Sequence, residues 1–171
     1  PFVIKGFHSD NGSEYINHRV ARMLDKLSAE FTKSRPRHSN DNGLAETKNG
    51  AVIRKHLGYA HIPQHNATQV NAWCAEFLNP YLNYHRPCLF PESVTDAKGK
   101  TRKRYPQHLI MTPCEKLLSM AAVSHFLHPG VTPETLRANA NAMSDNEAAD
   151  AMNQARQRLF LSIHKRSRPA A

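Results

Sequence analysis

The stretch PFVIKGFHSDNGSEY (residues 1–15) opens as a short β-branched and aromatic run and breaks at once into turn chemistry around Ser9, Asp10, Asn11 and Gly12. Seven residues are too few for a helix, and a compact apolar run closed by a Ser-Asp-Asn-Gly turn reads as a buried strand. Asp10 then stands at the carboxyl end of that strand, where α/β folds place their ligands. It either shapes an ordinary Asp-Asn-Gly turn or holds a metal ion.

Working outward, Val20, Leu24, Leu27 and Phe31 recur at steps of four, three and four, the apolar face of an amphipathic helix that begins after Asn17. EFTKSRP (30–36) predicts a second short strand, which Pro36 forces the chain to leave. A polar loop, RPRHSNDNG, follows. LAETKNGAVIRKHLGY (44–59) has helix-forming composition with blurred periodicity, and Gly50 inside it costs about 1 kcal/mol against Ala. Val70, Trp73, Phe77 and Tyr81 predict a further helix with Trp73 in the core, kinked or ended by Pro80.

Residues 86–106 hold several prolines and KGKTRKR (98–104), and residues 89–111 read as a basic linker or exposed arm. Thr112, Pro113 and Glu115 form a capping-box signature that starts a helix. Thr132-Pro133 repeats the Thr-Pro device and Ser144 with Glu147 repeats the box. The last helix carries Ala148, Met152, Ala155, Leu159 and Ile163 as a packing stripe.

The chain has 171 residues, with 23 Lys and Arg against 14 Asp and Glu, a formal charge of +9. That excess favours a polyanionic partner, nucleic acid before membrane. No apolar run approaches the ~20 residues that cross a bilayer, and no signal peptide is visible. Cys74, Cys88 and Cys114 lie far apart without a Cys-x-x-Cys spacing, which suggests reduced thiols in the cytoplasm rather than a zinc site or disulfide framework. His61 and His65 are separated by Pro63, which disrupts a shared helical face, and neither Asp-Asn-Gly segment has the oxygen pattern of a calcium loop. The chain begins with Pro1, so the expectation is a piece of something longer.

Asp10 and Glu46 stand 36 positions apart. Glu46 taken alone is an ordinary acid in the first turn of a helix. Together, HSDNGSEY (8–15) and NDNGLAETKNG (40–50) resemble the catalytic core of insertion-sequence transposases and retroviral-type integrases, the DDE superfamily. The resemblance rests on His8, Ser9, Asp10, Gly12, Ser13 and Tyr15 in the first stretch and on Asp41, Asn42 and Glu46 in the second. It covers about the first 55 residues, with a weaker similarity in NYHRP and TPCEKLL further on.

The resemblance implies an α/β fold class: a partial ribonuclease H-like core over residues 1–88, the linker or arm at 89–111, and a mainly helical carboxyl-terminal extension at 112–171. It implies divalent-metal-dependent DNA strand transfer by the full-length form, with Asp10 and Glu46 as catalytic metal ligands for Mg²⁺ or Mn²⁺. His8, Asn11, Gly12, Asp41 and Asn42 would support the site, Asp41 as a helix N-cap and His8 either as a structural residue or near the scissile phosphate. Such chemistry suits carboxylates, because two hard cations stabilise the attacking and leaving oxygens of an in-line displacement. The family's third acid is an Asp on an earlier strand, and no acidic residue precedes Asp10 here.

Expected DNA contacts are Lys33, Arg35 and Arg37, then Arg54 and Lys55, then Lys98, Lys100, Arg102, Lys103 and Arg104. The partners implied are DNA, both element ends and target, and further copies of the chain in an active oligomer, with no membrane. No helix-turn-helix is visible, so recognition of end sequences is expected of a missing amino-terminal part. Two other readings remain open: a truncated remnant that binds DNA or a full-length transposase, and a metal-dependent nuclease of the same broad fold.

Overall fold

In a computed structural model of the chain, residues 1–9, 17–35, 46, 47 and 49–166 are described. They form a mixed α/β protein whose chain divides into two compact units, Pro1–His61 and Ile62–Ala171.

In the first unit, β1 (Gly6–Ser9) lies parallel to β2 (Glu30–Lys33), in a register that sets Phe7 beside Phe31 and Ser9 beside Lys33. Parallel strands need a crossover, and α1 (His18–Lys26) supplies it. Asn17 caps α1 by accepting hydrogen bonds from the backbone N–H groups of Arg19 and Val20, each at 3.0 Å. Leu24 is the buried centre of its inner face.

The expected apolar stripe does not stay on one helix. The helix ends at Lys26, and Ser28 turns the chain at φ 50°, with its N–H and that of Ala29 bonded back to Asp25 and Leu24. Leu27 is therefore exposed at the helix end, and Phe31 belongs to β2, where its ring lies 5.9 Å from that of Phe7. The strand expected to be buried across the opening residues pairs later, over 6–9, where Gly6 and His8 are exposed and only Ser9 is buried. Further on, a π-helical segment, Asn49–Arg54, runs into an α-turn, Lys55–Leu57; together they form α2. The blurred periodicity expected there has a physical source, since a wider turn shifts which residues share a face.

The second unit is built on α3, which starts as Ala67–Trp73 and continues through wider turns at Cys74–Leu78 and Tyr81–His85. Pro80 was expected to kink or end this helix, yet helical structure continues five residues beyond it. The N–H of Asn79 reaches back to the carbonyl of Cys74, so the helix widens around a residue that has no N–H to give.

The long carboxyl-terminal helix, α6 (Asp145–Arg166), follows α4 (Pro113–Leu118) and α5 (Pro133–Ala140) and packs antiparallel to α3. Ser162 donates its hydroxyl to Gln69 Oε1 at 2.9 Å, Trp73 Nε1–H donates to the carbonyl of Met152 at 3.4 Å, and His85 Nδ1 meets Asp145 Oδ1 at 3.1 Å. Ala148, Met152, Ala155, Leu159 and Ile163 are all buried, as the stripe predicts, with Trp73, Leu78 and Leu136 in the same core.

Burial pushes the thiols of Cys74 and Cys114 up. Thr112 caps α4 in a full capping box with Glu115, and Thr132 caps α5.

At the start of α6, Ser144 gives both its backbone N–H and its hydroxyl to Glu147 Oε2, each at 2.8 Å, and the Glu147 N–H returns a bond to Ser144 Oγ at 3.3 Å. The Ser144 backbone donor, then its hydroxyl, hold the Glu147 carboxyl below the ordinary carboxylate range. A carboxyl depressed by folding contributes stability above its unfolded pKa and loses it as pH falls through the folded one. Acidification below the ordinary carboxylate range should therefore loosen this cap, and Glu147→Gln should flatten the acid limb of a thermal midpoint against pH profile. Superimposable profiles would mean that the box contributes nothing. The effect is small, because the carboxylate is fully solvated.

Residues 89–111, expected as a linker or arm, carry regular structure. β3 (Cys88–Leu89) pairs antiparallel with β6 (Ile110–Met111), and between them β4 (Glu92–Thr95) pairs with β5 (Thr101–Arg104) in a second antiparallel ribbon.

Candidate functional site

The carboxyl ends of β1 and β2 lie side by side and gather polar groups. The N–H of Ser34 donates to the carbonyl of Ser9 at 3.1 Å, extending the pairing by one residue. Both serines are buried. Ser34 Oγ lies 3.5 Å from that same carbonyl and 3.4 Å from His8 Nε2, and His8 Nδ1 is 2.9 Å from Thr32 Oγ1. The imidazole is thus held at both nitrogens by hydroxyls from the neighbouring strand. Ser9 Oγ, buried at the strand end, has no hydrogen-bond partner among the described residues. A hydroxyl so placed is costly unless something else satisfies it.

Of the two expected metal ligands, Glu46 is described: it is helical and exposed. Asp10, Asn11, Gly12, Arg37, Asp41 and Asn42 lie outside the described residues. Asp10 is the next residue in the chain after Ser9, with which β1 ends. Among the described residues no three His, Cys, Asp or Glu side chains are grouped to hold a metal ion.

The expected DNA contacts fall in both units. Lys33 ends β2 and Arg35 follows it, both exposed. Arg54 and Lys55 are exposed on α2, the Arg54 guanidinium 5.6 Å from the centre of the Tyr59 ring. Lys98 and Lys100 stand in the turn between β4 and β5, and Arg102, Lys103 and Arg104 are exposed along β5.

Two groups escaped the sequence reading. Thr32 and Ser34 orient His8 from 24 and 26 residues away, a relation that only strand pairing creates. On α1, Arg19, Arg22 and Lys26 share the outward face and, with Met23, line a shallow concavity of about 310 Å³. Their spacing of three and four was a readable signal of a basic helix face.

No family model matches the chain, and no solved structure matches it. The chain is similar to a protein of Sinorhizobium fredii (strain NBRC 101917 / NGR234) described as uncharacterized protein y4rM, with 30% identity over 105 residues. The match covers 61% of this chain and 30% of that protein, so the chain spans under a third of its relative's length. Among the described residues, no helix is long and apolar enough to cross a membrane.

Proposed function

We propose that this chain is part of a DDE-type transposase or integrase, with a ribonuclease H-like catalytic core that its full-length form uses for DNA strand transfer. The observation that carries the reading is the parallel β1–α1–β2 unit, with Asp10 next in the chain after the buried end of β1. Parallel α/β sheets bind ligands at the carboxyl ends of their strands. The helical stretch that includes Glu46 follows β2, in the order the resemblance implies. Parallel sheets ordinarily have both faces covered. Here Phe31 of β2 stays 36% exposed, so part of this sheet's face is left uncovered.

The donor chemistry fits a hard divalent cation, since Asp10 and Glu46 offer carboxylate oxygens of the kind that Mg²⁺ or Mn²⁺ prefers. When bound, such an ion would neutralise charge developing on the scissile phosphate. His8, fixed by Thr32 and Ser34, would orient the strand end beside that phosphate. The exposed cations of α1, α2 and β5 would hold the DNA backbone through contacts that carry no sequence information.

The test is a strand-transfer assay on the full-length protein with labelled donor ends, a target duplex, and Mg²⁺ or a chelator. The expected product is donor joined to target, formed only with the metal. Hydrolysed ends without joined strands would replace this reading with a nuclease. Metal-independent DNA binding with no product would leave a DNA-binding remnant.

A further inference from the structure

We infer that the β4–β5 hairpin is a duplex-DNA docking ribbon that enters a groove as a preformed two-stranded element. The inference deepens the proposed reading, from which it takes DNA as the partner, but it rests on residues of the second unit and not on Asp10 or Glu46.

The register pairs Glu92 with Arg104, Ser93 with Lys103, Val94 with Arg102 and Thr95 with Thr101. Side chains alternate along a strand, so Arg102 and Arg104 stand on one face and Lys103 on the other. The bond of 3.1 Å between the Thr95 and Thr101 hydroxyls marks the Lys103 face. Every residue of β5 is exposed, and so are Ser93, Val94 and Thr95 of β4, so neither face of the ribbon packs on a core. An isolated hairpin that buries so little is marginal in water, and a partner surface would stabilise it.

Charge selects the partner. Residues 92–104 hold five cations, Lys98, Lys100, Arg102, Lys103 and Arg104, against Glu92 and Asp96. The Asp96 carboxylate is turned inward, accepting the N–H groups of Lys98 and Lys100 at 3.0 and 2.9 Å. Among the described residues, none of the five cations lies in an ion pair. Uncompensated cations on both faces of a two-stranded ribbon complement a surface that is anionic on both sides. The major groove, roughly 12 Å wide between phosphate walls, admits such a ribbon. Pro91 and Pro106 flank it and offer no N–H for another strand to pair with.

The ribbon depends on its turn. Gly99 sits at φ +76°, with its N–H bonded to the Asp96 carbonyl at 2.9 Å, while Asp96 N–H reaches Lys100 at 3.1 Å. A Cβ at Gly99 would meet nothing within 4 Å, so Gly99→Ala acts on backbone conformation alone and leaves all five cations in place.

The experiment measures binding of the whole chain to a mixed-sequence duplex, and to a single strand of equal length, by fluorescence anisotropy across a salt series in EDTA. The triple variant Arg102→Gln, Lys103→Gln, Arg104→Gln is expected to bind the duplex on the order of tenfold or more weakly. Its log K against log salt slope should fall by about 1 for each phosphate no longer neutralised. Lys98→Gln with Lys100→Gln, which touches no strand pairing, should weaken binding in the same direction. Gly99→Ala should weaken it too.

Wild-type affinity in the triple variant would overturn the inference. Unchanged binding in Gly99→Ala beside weaker binding in the triple variant would also overturn it, because charge without ribbon geometry would then suffice. Equal affinity for the single strand would rule out groove docking. Because metal is absent throughout, loss of strand transfer with these results intact counts against the proposed catalytic reading alone.

Discussion

Glu46→Gln in the full-length protein is expected to lower strand transfer on the order of 10³-fold while leaving the fold intact. Glu46 is exposed in its helical stretch, and surface replacements of this kind usually change stability by within about 0.5 kcal/mol. Gln keeps the shape and removes the charge. A carboxylate that helps hold a catalytic cation supports several kcal/mol of transition-state stabilisation, and each ~1.4 kcal/mol is a factor of ten in rate. Asp10→Asn should lower the rate to a similar extent. The decisive readout is the rate of joined product, with far-UV circular dichroism and a denaturation midpoint as the folding control. Strand transfer within a few-fold of wild type, from a variant that folds normally, would remove Glu46 from the site.

The largest structural effect is expected at Trp73. Its side chain is only 4% exposed, it packs where α3 meets α6, and its indole N–H donates to the Met152 carbonyl. Trp73→Ala removes a large apolar surface and leaves a cavity that helices can only partly close, at a cost of about 3–5 kcal/mol. Whole domains are stable by only ~5–15 kcal/mol, so the second unit should lose much of its cooperative transition. Trp73→Phe retains most of the apolar volume and forfeits the hydrogen bond, and should cost markedly less. Urea denaturation followed by circular dichroism separates the two. Equal midpoints for Ala and wild type would show that the α3–α6 packing does not hold the unit together.

Features readable from sequence share one property: the groups involved lie within a few residues of each other. The Thr112–Glu115 and Ser144–Glu147 boxes close within one helical turn, and the structure forms both. The α6 stripe is legible for the same reason, since helical periodicity alone puts Ala148, Met152, Ala155, Leu159 and Ile163 on one side. Where two elements abut, periodicity misleads. Leu27 and Phe31 continue the α1 spacing on paper, but Ser28 ends the helix between them.

For the candidate site, the chain by itself determined which carboxylates stand in recognisable contexts, Asp10 after a strand and Glu46 in a helix, and that the chain carries an excess of cations. Tertiary structure alone decided that His8 is fixed by Thr32 and Ser34, because those hydroxyls arrive only when β2 pairs in parallel with β1. It also decided that 92–104 is a ribbon. KGKTRKR has the composition of a solvated coil, and cross-strand partners such as Glu92 and Arg104 are chosen by a turn whose left-handed Gly99 no apolar pattern announces. Local chemistry sets helix ends and faces within a few residues. Pairing between distant segments depends on which surfaces are brought together once the chain has closed, and only the folded structure records that choice.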